Sequence, residues 1–514
     1  MASTSCSQDT SDRGYTVSTS EPSIAAGSRR LTSSWAPCPG NQTYRYVAAG
    51  ALSSALIPVL AGLVASEEEE RAWRVVATVV NLMLLALLVL AVLVALAAPV
   101  LIPLVTPGFD AVETELTVRL SRIMLLSPIL LALGAVATSV LNARGRFAAS
   151  AVAPLLYNVV IILAAVLLAP TLGVEGLAIG VVLGSLAHLA VQLPTIGRLR
   201  GFRYDFGVDL RDPAARQALL LMAPRAIGLG VTQITFIVNT TLASGLGTGS
   251  IVAYNIAFTV MQIPLGVIGV PLGVVLLPSM SRALALGDLR GFSQLVVRSL
   301  RLLLYVMLFL TAMTMVLRRQ AVTLLFDYGN FDQRAVDLTA NTLLFFTLGL
   351  AAHAMIVVLA RAFYAGKDTR TPVMAAVLAV AVNIVVSVLT AGSLGLSGLA
   401  LGIAAGAWVE AALLLTLLWR RTASLPIAGL VRSGAEFAVG AVLAGAVGFA
   451  VVGVSGAVFG THDPSKLLVA VQAALAFLVA AAVYIGYSLV VRIPEFEETL
   501  VILRSALRRR RTTP

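Results

Sequence analysis

The sequence is dominated by long apolar stretches, each near the length a helix needs to cross a bilayer. A spanning helix takes about 20 mostly apolar residues, and about thirteen stretches meet that criterion. They cover 44–65, 75–105, 119–141, 150–170, 175–197, 218–243, 250–279, 296–317, 338–363, 371–393, 395–420, 432–456 and 466–491. Of the 514 residues 59% are hydrophobic and 12% charged, where a soluble domain carries roughly 25% charged residues. Hydrocarbon offers no hydrogen-bond partners, so backbone groups must pair within each segment and the stretches must be helical. The expected fold class is an all-α polytopic membrane protein, with no enzyme active site in view.

The formal charge of +11 does not point to nucleic acid, because the cations sit in short loops between the apolar stretches, where they set orientation. One alternating set of loops holds Arg71, Arg74, Arg144, Arg146, Arg198, Arg216, Arg282, Arg298, Arg361, Lys367, Arg370, Arg420 and Arg432. That set is assigned to the cytoplasm. The opposite loops, near Asp110 and Asp332, are nearly free of cations and face outward. Cys6 and Cys38 are the two cysteines, both in the polar N-terminal segment, so no metal-ligand spacing, disulfide framework or cofactor is implied.

The chain repeats itself. LGVEGLAIG at 172–180 returns as LGLSGLALG at 394–402, and GFD ending at Asp110 returns as NFD ending at Asp332, both 222 residues later. ALIP ending at Pro58 and VLLP ending at Pro278 form a third pair near that spacing. An even number of spans separates matching helices, so the units insert the same way up, as parallel repeats do in transporters. The expected organisation is a disordered polar tail at 1–43, an N-lobe at 44–197, a cytoplasmic interfacial linker at 198–217 and a C-lobe at 218–421. Two further helices at 432–491 and a basic cytoplasmic tail at 492–514 complete it. The first unit has five helices against six in the second, which predicts that a first helix is lost and that residues 1–43 are not the native start.

Polar residues inside spans are costly and by default mark a pathway. Arg225, about seven residues into its span, either faces a central cavity or snorkels to the headgroups. Gln233, Asn239 and Gln262 either hydrate that cavity or bond neighbouring helices. Glu410 is a candidate coupling carboxylate, or a protonated helix-to-helix donor. His188 and His353 stand alone, which does not favour a metal site. Gly266, Gly269 and Pro271 fall in LGVIGVPLGVVLLP, where missing backbone bonds and small residues predict a bend or break suited to a gate.

Four segments, YRYVAAGALSSALIPVLAGL, LNARGRFAASAVAPLLYNVVIIL, YNIAFTVMQIPLGVIGVPLGVVLLPSMS and YAGKDTRTPV, resemble the MurJ/MviN family of lipid II flippases. The resemblance spans about 44–500. It implies two six-helix lobes around a central cavity, plus two C-terminal helices flanking a groove for a lipid tail. It implies alternating-access transfer of an undecaprenyl-pyrophosphate-linked peptidoglycan precursor from the inner to the outer leaflet of the bacterial cell membrane. Its partners would be that lipid-linked precursor, the bilayer and cell-wall synthesis proteins, with no nucleic acid and no cofactor. The family's cavity arginines lie on its first, second and eighth helices. Arg45 aligns with the second-helix arginine; Thr259 stands where the eighth-helix arginine falls, and Gln262 keeps a Glu/Gln position. Arg225 would supply the lost charge. The rival readings are a cation-coupled exporter of another lipid-linked glycan or small molecule in the same superfamily, and a non-transporting scaffold.

Overall fold

The computed structural model describes residues 59–496 except 61, 62, 64, 65, 329, 330, 367, 423–425 and 460–464, and leaves out the side chains of 221–232, 274, 458 and 459. The tail at 1–43, nearly all of the stretch at 44–65, Arg45, Lys367 and the basic tail beyond 496 therefore lie outside the described residues.

The described chain is helical. Helices α1 (Glu69–Val105), α2 (Ala111–Met124), α3 (Leu126–Ala143), α4 (Phe147–Leu167) and α5 (Val174–Ala190) precede the linker. After it come α6 (Pro213–Ser244), α7 (Ser250–Pro264), α8 (Val270–Ala285), α9 (Leu289–Phe326), α10 (Gln333–Thr347), α11 (Leu350–Ala365), α12 (Arg370–Leu394) and α13 (Leu396–Thr422). Helices α14 (Ile427–Phe459) and α15 (Lys466–Val491) close the order. Among the described residues ten helical stretches are long and apolar enough to span a membrane, and the α10–α11 pair, bent by 45°, makes an eleventh. Their outer faces stay apolar: Leu96 and Val100 on α1, Val442 on α14 and Val490 on α15 are each more than two-thirds exposed. In water such a surface would aggregate; against lipid it is solvated.

Aspartates start several of these helices. Asp110 Oδ1 accepts from Glu113 N at 2.7 Å and Asp332 Oδ1 from Ala335 N at 2.8 Å, each satisfying a first-turn N–H that has no partner within the helix. The GFD and NFD landmarks are thus the same cap used twice. Their backbones agree as well, at φ −75°, ψ 177° and φ −76°, ψ 173°. The second landmark behaves likewise: Gly173 (φ 58°, ψ −138°) and Gly395 (φ 57°, ψ −134°) break the chain before α5 and α13 in a left-handed conformation that favours glycine.

Packing repeats along with the backbone. A Cβ on Gly176 would meet Leu168 O at 2.7 Å, and one on Gly398 would meet Thr390 O at 2.7 Å. Four and eight residues on, Gly180 and Gly184 face α4 as Gly402 and Gly406 face α12. Small residues at this spacing let two helix backbones touch, which in lipid supplies the dispersion contact that holds helices together. The repeat read in the sequence is therefore one of tertiary structure.

Some boundaries move. The stretch at 119–141 is carried by α2 and α3, divided at Leu125, and 338–363 by α10 and α11, divided at Leu348 and Gly349. The two divisions are repeat counterparts; at the second, the Leu348 carbonyl accepts from Trp408 Nε1 at 2.9 Å. A side chain thus replaces the lost helical bond, so the bend leaves this carbonyl satisfied within the membrane. Helix α6 starts at Pro213, inside the stretch read as linker, because Asp212 caps it through Ala214 N at 2.7 Å and proline suits the first turn.

The linker is a strap laid on α1. Trp73 Nε1 donates to Arg200 O at 3.1 Å, Asn81 Nδ2 donates to Asp205 O and Gly207 O at 2.9 and 3.0 Å, and Asp209 N donates to Thr78 Oγ1 at 3.1 Å. Its other side exposes Phe206 and Leu210, as a segment at the headgroup level should. Beneath it Arg144 grips Glu69 through two nitrogens at 3.1 and 2.6 Å and lies over the Trp73 ring. Loop arginines counted for orientation are thus also structural.

A similar knot sits in the YAGKDTRTPV segment. Asp368 accepts from the Thr371 hydroxyl at 2.6 Å, from Arg370 N and Thr371 N at 3.0 Å, and from Arg421. Those bonds, the Thr371 hydroxyl first among them, hold its carboxyl well below the usual carboxylate range. A carboxyl so depressed stabilises the fold above its unfolded pKa and ceases to as pH falls through the folded value. Asp368→Asn should therefore lower the melting temperature at pH 7, and the gap to wild type should begin to narrow as pH drops below about 4. Thermal unfolding in detergent across pH 3–7 checks this; a gap independent of pH would refute it.

Candidate functional site

Two helices carry most of the polar residues singled out in the second lobe. On α7, Ala253, Tyr254, Ala257, Val260 and Met261 are buried, and Tyr254 and Phe258 pack on Phe346 of α10 at ring distances of 5.2 and 5.5 Å. The opposite face is open. It exposes Asn255, Thr259 and Gln262 at spacings of four and three, which is one stripe of a helix. A face turned from its lobe's core and lined with three amide and hydroxyl groups suits water, since unsatisfied polar groups are costly against lipid.

Gln233 on α6 is also exposed, and Phe236 of α6 packs edge-on to Phe258 of α7 at 5.3 Å, so the two helices are held as neighbours. Asn239, six residues further, is fully buried. Its Nδ2 donates to Tyr254 OH at 2.9 Å and to Asn383 Oδ1 at 3.4 Å, and Asn383 reaches Ser387 at 3.4 Å. The structure therefore places Gln233 and Gln262 on open faces and Asn239 in a knot joining α6, α7 and α12. Arg225 has a helical backbone in α6, but its side chain, like all of Arg45, is outside the described residues. Glu410 is half-buried on α13 near Tyr364, with no hydrogen bond or ion pair to another described residue.

The glycine–proline segment keeps its helical path instead of breaking. Leu265–Gly269 forms one π-helical turn between α7 and α8, with Pro264 before it and Pro271 in the first turn after it. A wide turn of this kind is one way a membrane helix re-satisfies backbone groups freed by proline, and it recurs at functional sites. Nothing lies within 4 Å of a Cβ built on Gly266, whereas one on Gly269 meets Leu265 and one on Gly273 meets Val357 of α11 at 2.7 Å.

Sequence reasoning passed over Asn255, Asn383 and Ser387. Asn255 was legible: it precedes Thr259 and Gln262 at helical spacing. Asn383 and Ser387, four apart, lie opposite Gly402 and Gly406 across the α12–α13 contact, and which repeat-lobe partner they meet is a tertiary matter. Among the described residues no group of three or more His, Cys, Asp or Glu is placed to hold a metal ion.

At the ends of α1 the two lobes meet. Arg71 at its start bonds Asp212, the cap of α6, through Nε at 2.8 Å; just past its end, Gly108 N lies 3.4 Å from Ser244 Oγ at the end of α6. Two parallel repeats joined along one pair of helices, with a polar stripe on the neighbouring α7, define a two-lobed polytopic membrane transporter.

Comparison with known proteins narrows the class. The profile of the family described as lipid II flippase MurJ matches residues 40–470, and the chain belongs to that family. A protein of Rhizobium meliloti (strain 1021) named probable lipid II flippase MurJ is 33% identical over 389 residues, covering 74% of this chain and 72% of its own. The lipid II flippase MurJ of Burkholderia cenocepacia is 31% identical over 401 residues, covering 76% and 77%. A solved lipid II flippase MurJ in an inward closed conformation shares the fold at TM-score 0.71 and 21% identity, over 87% of this chain and 89% of that one. An inward-facing multidrug resistance MATE family transporter of the MOP superfamily aligns at TM-score 0.64 and 15% identity, covering 73% and 86%.

Proposed function

We propose that this protein flips lipid II, the undecaprenyl-pyrophosphate-linked peptidoglycan precursor, from the inner to the outer leaflet of the bacterial cell membrane by alternating access of its two lobes. The observation that carries the reading is family membership across 40–470. The physics of the cargo agrees with it. A pyrophosphate and sugar–peptide head cannot enter hydrocarbon unaided and needs a wet, polar path; the open stripe of α7 supplies amide and hydroxyl groups for one. Arginine binds phosphate best, through its planar fork, which gives Arg45 and Arg225 their proposed role on the pyrophosphate. Gln233, Asn255, Thr259 and Gln262 would contact the head, with Asn239 fixing α6 and α7 in register. Gly266, Gly269 and Pro271 would let the π turn flex as a gate, and Glu410 is the proposed coupling carboxylate. Transfer makes and breaks no covalent bond, so no catalytic residue is assigned. The enzymes of cell-wall synthesis that use the flipped precursor would be its partners. The cation-coupled exporter of other cargo rests on fold likeness alone.

Complementation tests the reading. Supplied with a first helix ahead of residue 44, the chain is expected to restore growth and outer-leaflet lipid II in cells depleted of their own flippase. Replacing Asn255, Thr259 and Gln262 together by leucine should cut transport about tenfold or more, from the loss of hydrogen bonds worth about 1 kcal/mol each, with membrane abundance unchanged. Full transport by the triple variant would remove the stripe from the path, and failure of the chain supplied with its first helix would remove lipid II as cargo.

A further inference from the structure

The strap that joins the lobes runs at the depth where α1 becomes lipid-facing. From Val75 to Val105 that helix carries no charged residue. Asn81, which holds Asp205 and Gly207 of the strap, lies four residues before Leu85, the first of the exposed large apolar side chains on α1, a rise of about 6 Å. On its other side the strap presents Phe202, Tyr204, Phe206, Val208 and Leu210, every second residue and all exposed, Phe206 by 86%. Aromatic and aliphatic side chains at this height hold a segment to a membrane surface.

Where the strap runs into α6 a cavity of about 650 Å³ opens. Leu210 and Arg211 line it from the strap, and Pro213, Arg216, Gln217 and Leu220 line it from α6. The four α6 residues fall on one stripe of the helix. Ala215 and Ala218, on the opposite side, are fully buried in the core that α1 shares through Trp73 and Val76. The stripe is therefore turned outward, and it shares no residue with the α7 stripe. Asp209 bonds Thr78 and Asp212 bonds Arg71, which puts the cavity on the cytoplasmic side of Asn81, at headgroup height. Leu220, 61% exposed, stands one turn deeper than Arg216.

The cavity is cationic at its cytoplasmic end and apolar below. Arg211 and Arg216 are both exposed, and neither side chain makes a hydrogen bond or ion pair with another described residue. The two carboxylates beside them are engaged elsewhere. Asp212 is held by Arg71 at 2.8 Å and Ala214 N at 2.7 Å, and Asp209 accepts from the backbone N–H of Arg211 at 3.0 Å. Residues 213–287 contain no Asp or Glu, so α6 brings no carboxylate to the site. The volume falls within the usual range of about 300–1,000 Å³ for small-molecule sites, and basic pockets on the cytoplasmic side are the settings in which acidic lipid headgroups bind.

We propose that this cavity binds the phosphodiester headgroup of an anionic membrane lipid, with Arg211 and Arg216 as its ligands, Gln217 as a further donor and the acyl chains lying along Leu220 and Phe206. Because the strap is the covalent link between the lobes, a lipid bound there pins that link to the cytoplasmic leaflet. Inorganic phosphate offers the same oxygens without acyl chains, and the two sources separate in the test.

The full chain is purified in an uncharged detergent and titrated with phosphatidylglycerol or phosphatidylcholine, and bound lipid is counted by native mass spectrometry. Wild type is expected to retain phosphatidylglycerol in preference to phosphatidylcholine, and Arg211→Gln/Arg216→Gln to hold it about tenfold more weakly, as expected for loss of charge-assisted hydrogen bonds. Melting in phosphatidylcholine should not change, because neither side chain is bonded to the rest of the described protein. Arg216→Gln alone keeps the test available if the double variant does not accumulate, with about threefold weaker retention expected from one lost contact. Arg146→Gln, which removes an exposed cytoplasmic arginine outside the cavity, should leave retention as it is. An equal loss in Arg146→Gln would show that the whole basic face attracts the lipid and would overturn the site, as would equal retention by wild type and the cavity variants. Arginine-dependent binding of inorganic phosphate with no retained lipid would overturn the lipid as ligand and assign the arginines to the free ion.

Discussion

Gly406→Leu is expected to remove most of the folded protein from the membrane. A Cβ at this position would stand 2.6 Å from Ala379 O and 3.5 Å from the Asn383 Cβ, the backbone and the knot-bearing residue of α12. Backbone cannot turn aside as a side chain can, so α13 would have to leave α12. Overpacking of a well-filled interior costs about 1–3 kcal/mol when neighbours can shift, and more when they cannot. The loss would reach the site, because Asn383 holds Asn239 and Tyr254 and thereby sets α6 against α7. Gly184, the counterpart in the first lobe, faces Tyr157 O at 2.9 Å, so Gly184→Leu should do similar damage. Gly486→Ala, with nothing within 4 Å of its Cβ, should be silent. Quantitative blotting and fluorescence-detected size exclusion would check all three, and normal amounts of monodisperse Gly406→Leu protein would contradict the packing argument.

Arg225→Ala is expected to abolish transport while leaving insertion intact. An arginine on a phosphate in a partly dry cavity makes charge-assisted hydrogen bonds worth about 1.5–3 kcal/mol each, and the role proposed for Arg225 is to supply them. Arg225→Lys should rescue only in part, because lysine lacks the planar fork. A snorkelling arginine would behave otherwise: lysine would replace it fully, and alanine would lower insertion instead of transport. Outer-leaflet lipid II, measured per copy of inserted protein, separates the two. Normal flipping by well-inserted Arg225→Ala would take Arg225 out of the site.

Much of this protein follows from its sequence because a membrane leaves few choices. Apolar stretches of spanning length had to be helices, since hydrocarbon satisfies no backbone group, and the helices found cover the expected stretches wherever the chain is described. The repeat was equally legible: Asp110 with Asp332 and Gly173 with Gly395 recur at one spacing because a helix cap and a left-handed break each demand a particular residue. Asn255 belonged to this class too, being a matter of helical spacing alone.

What the sequence left open depends on which surfaces meet. Asn239, Gln233 and Gln262 look alike in a string of letters, yet Asn239 is sealed between α6, α7 and α12 and the other two are open. No local rule separates them, because the burial of Asn239 depends in part on Asn383, 144 residues away. The glycine–proline segment predicted a bend or break, and the structure carries it as one π turn between α7 and α8, with Gly273 packed close to Val357 of α11. Loop arginines read as orientation signals proved to be ion pairs as well, since Arg71 finds Asp212 only once the strap at 198–212 is laid on α1, and Arg144 finds Glu69 only where the end of α3 meets the start of α1. Sequence settled which segments are helices and that they come in two copies, because those are properties of single segments and their spacing. The tertiary structure decided which polar side chains face open space and which are locked away, because that depends on pairs of surfaces far apart in the chain.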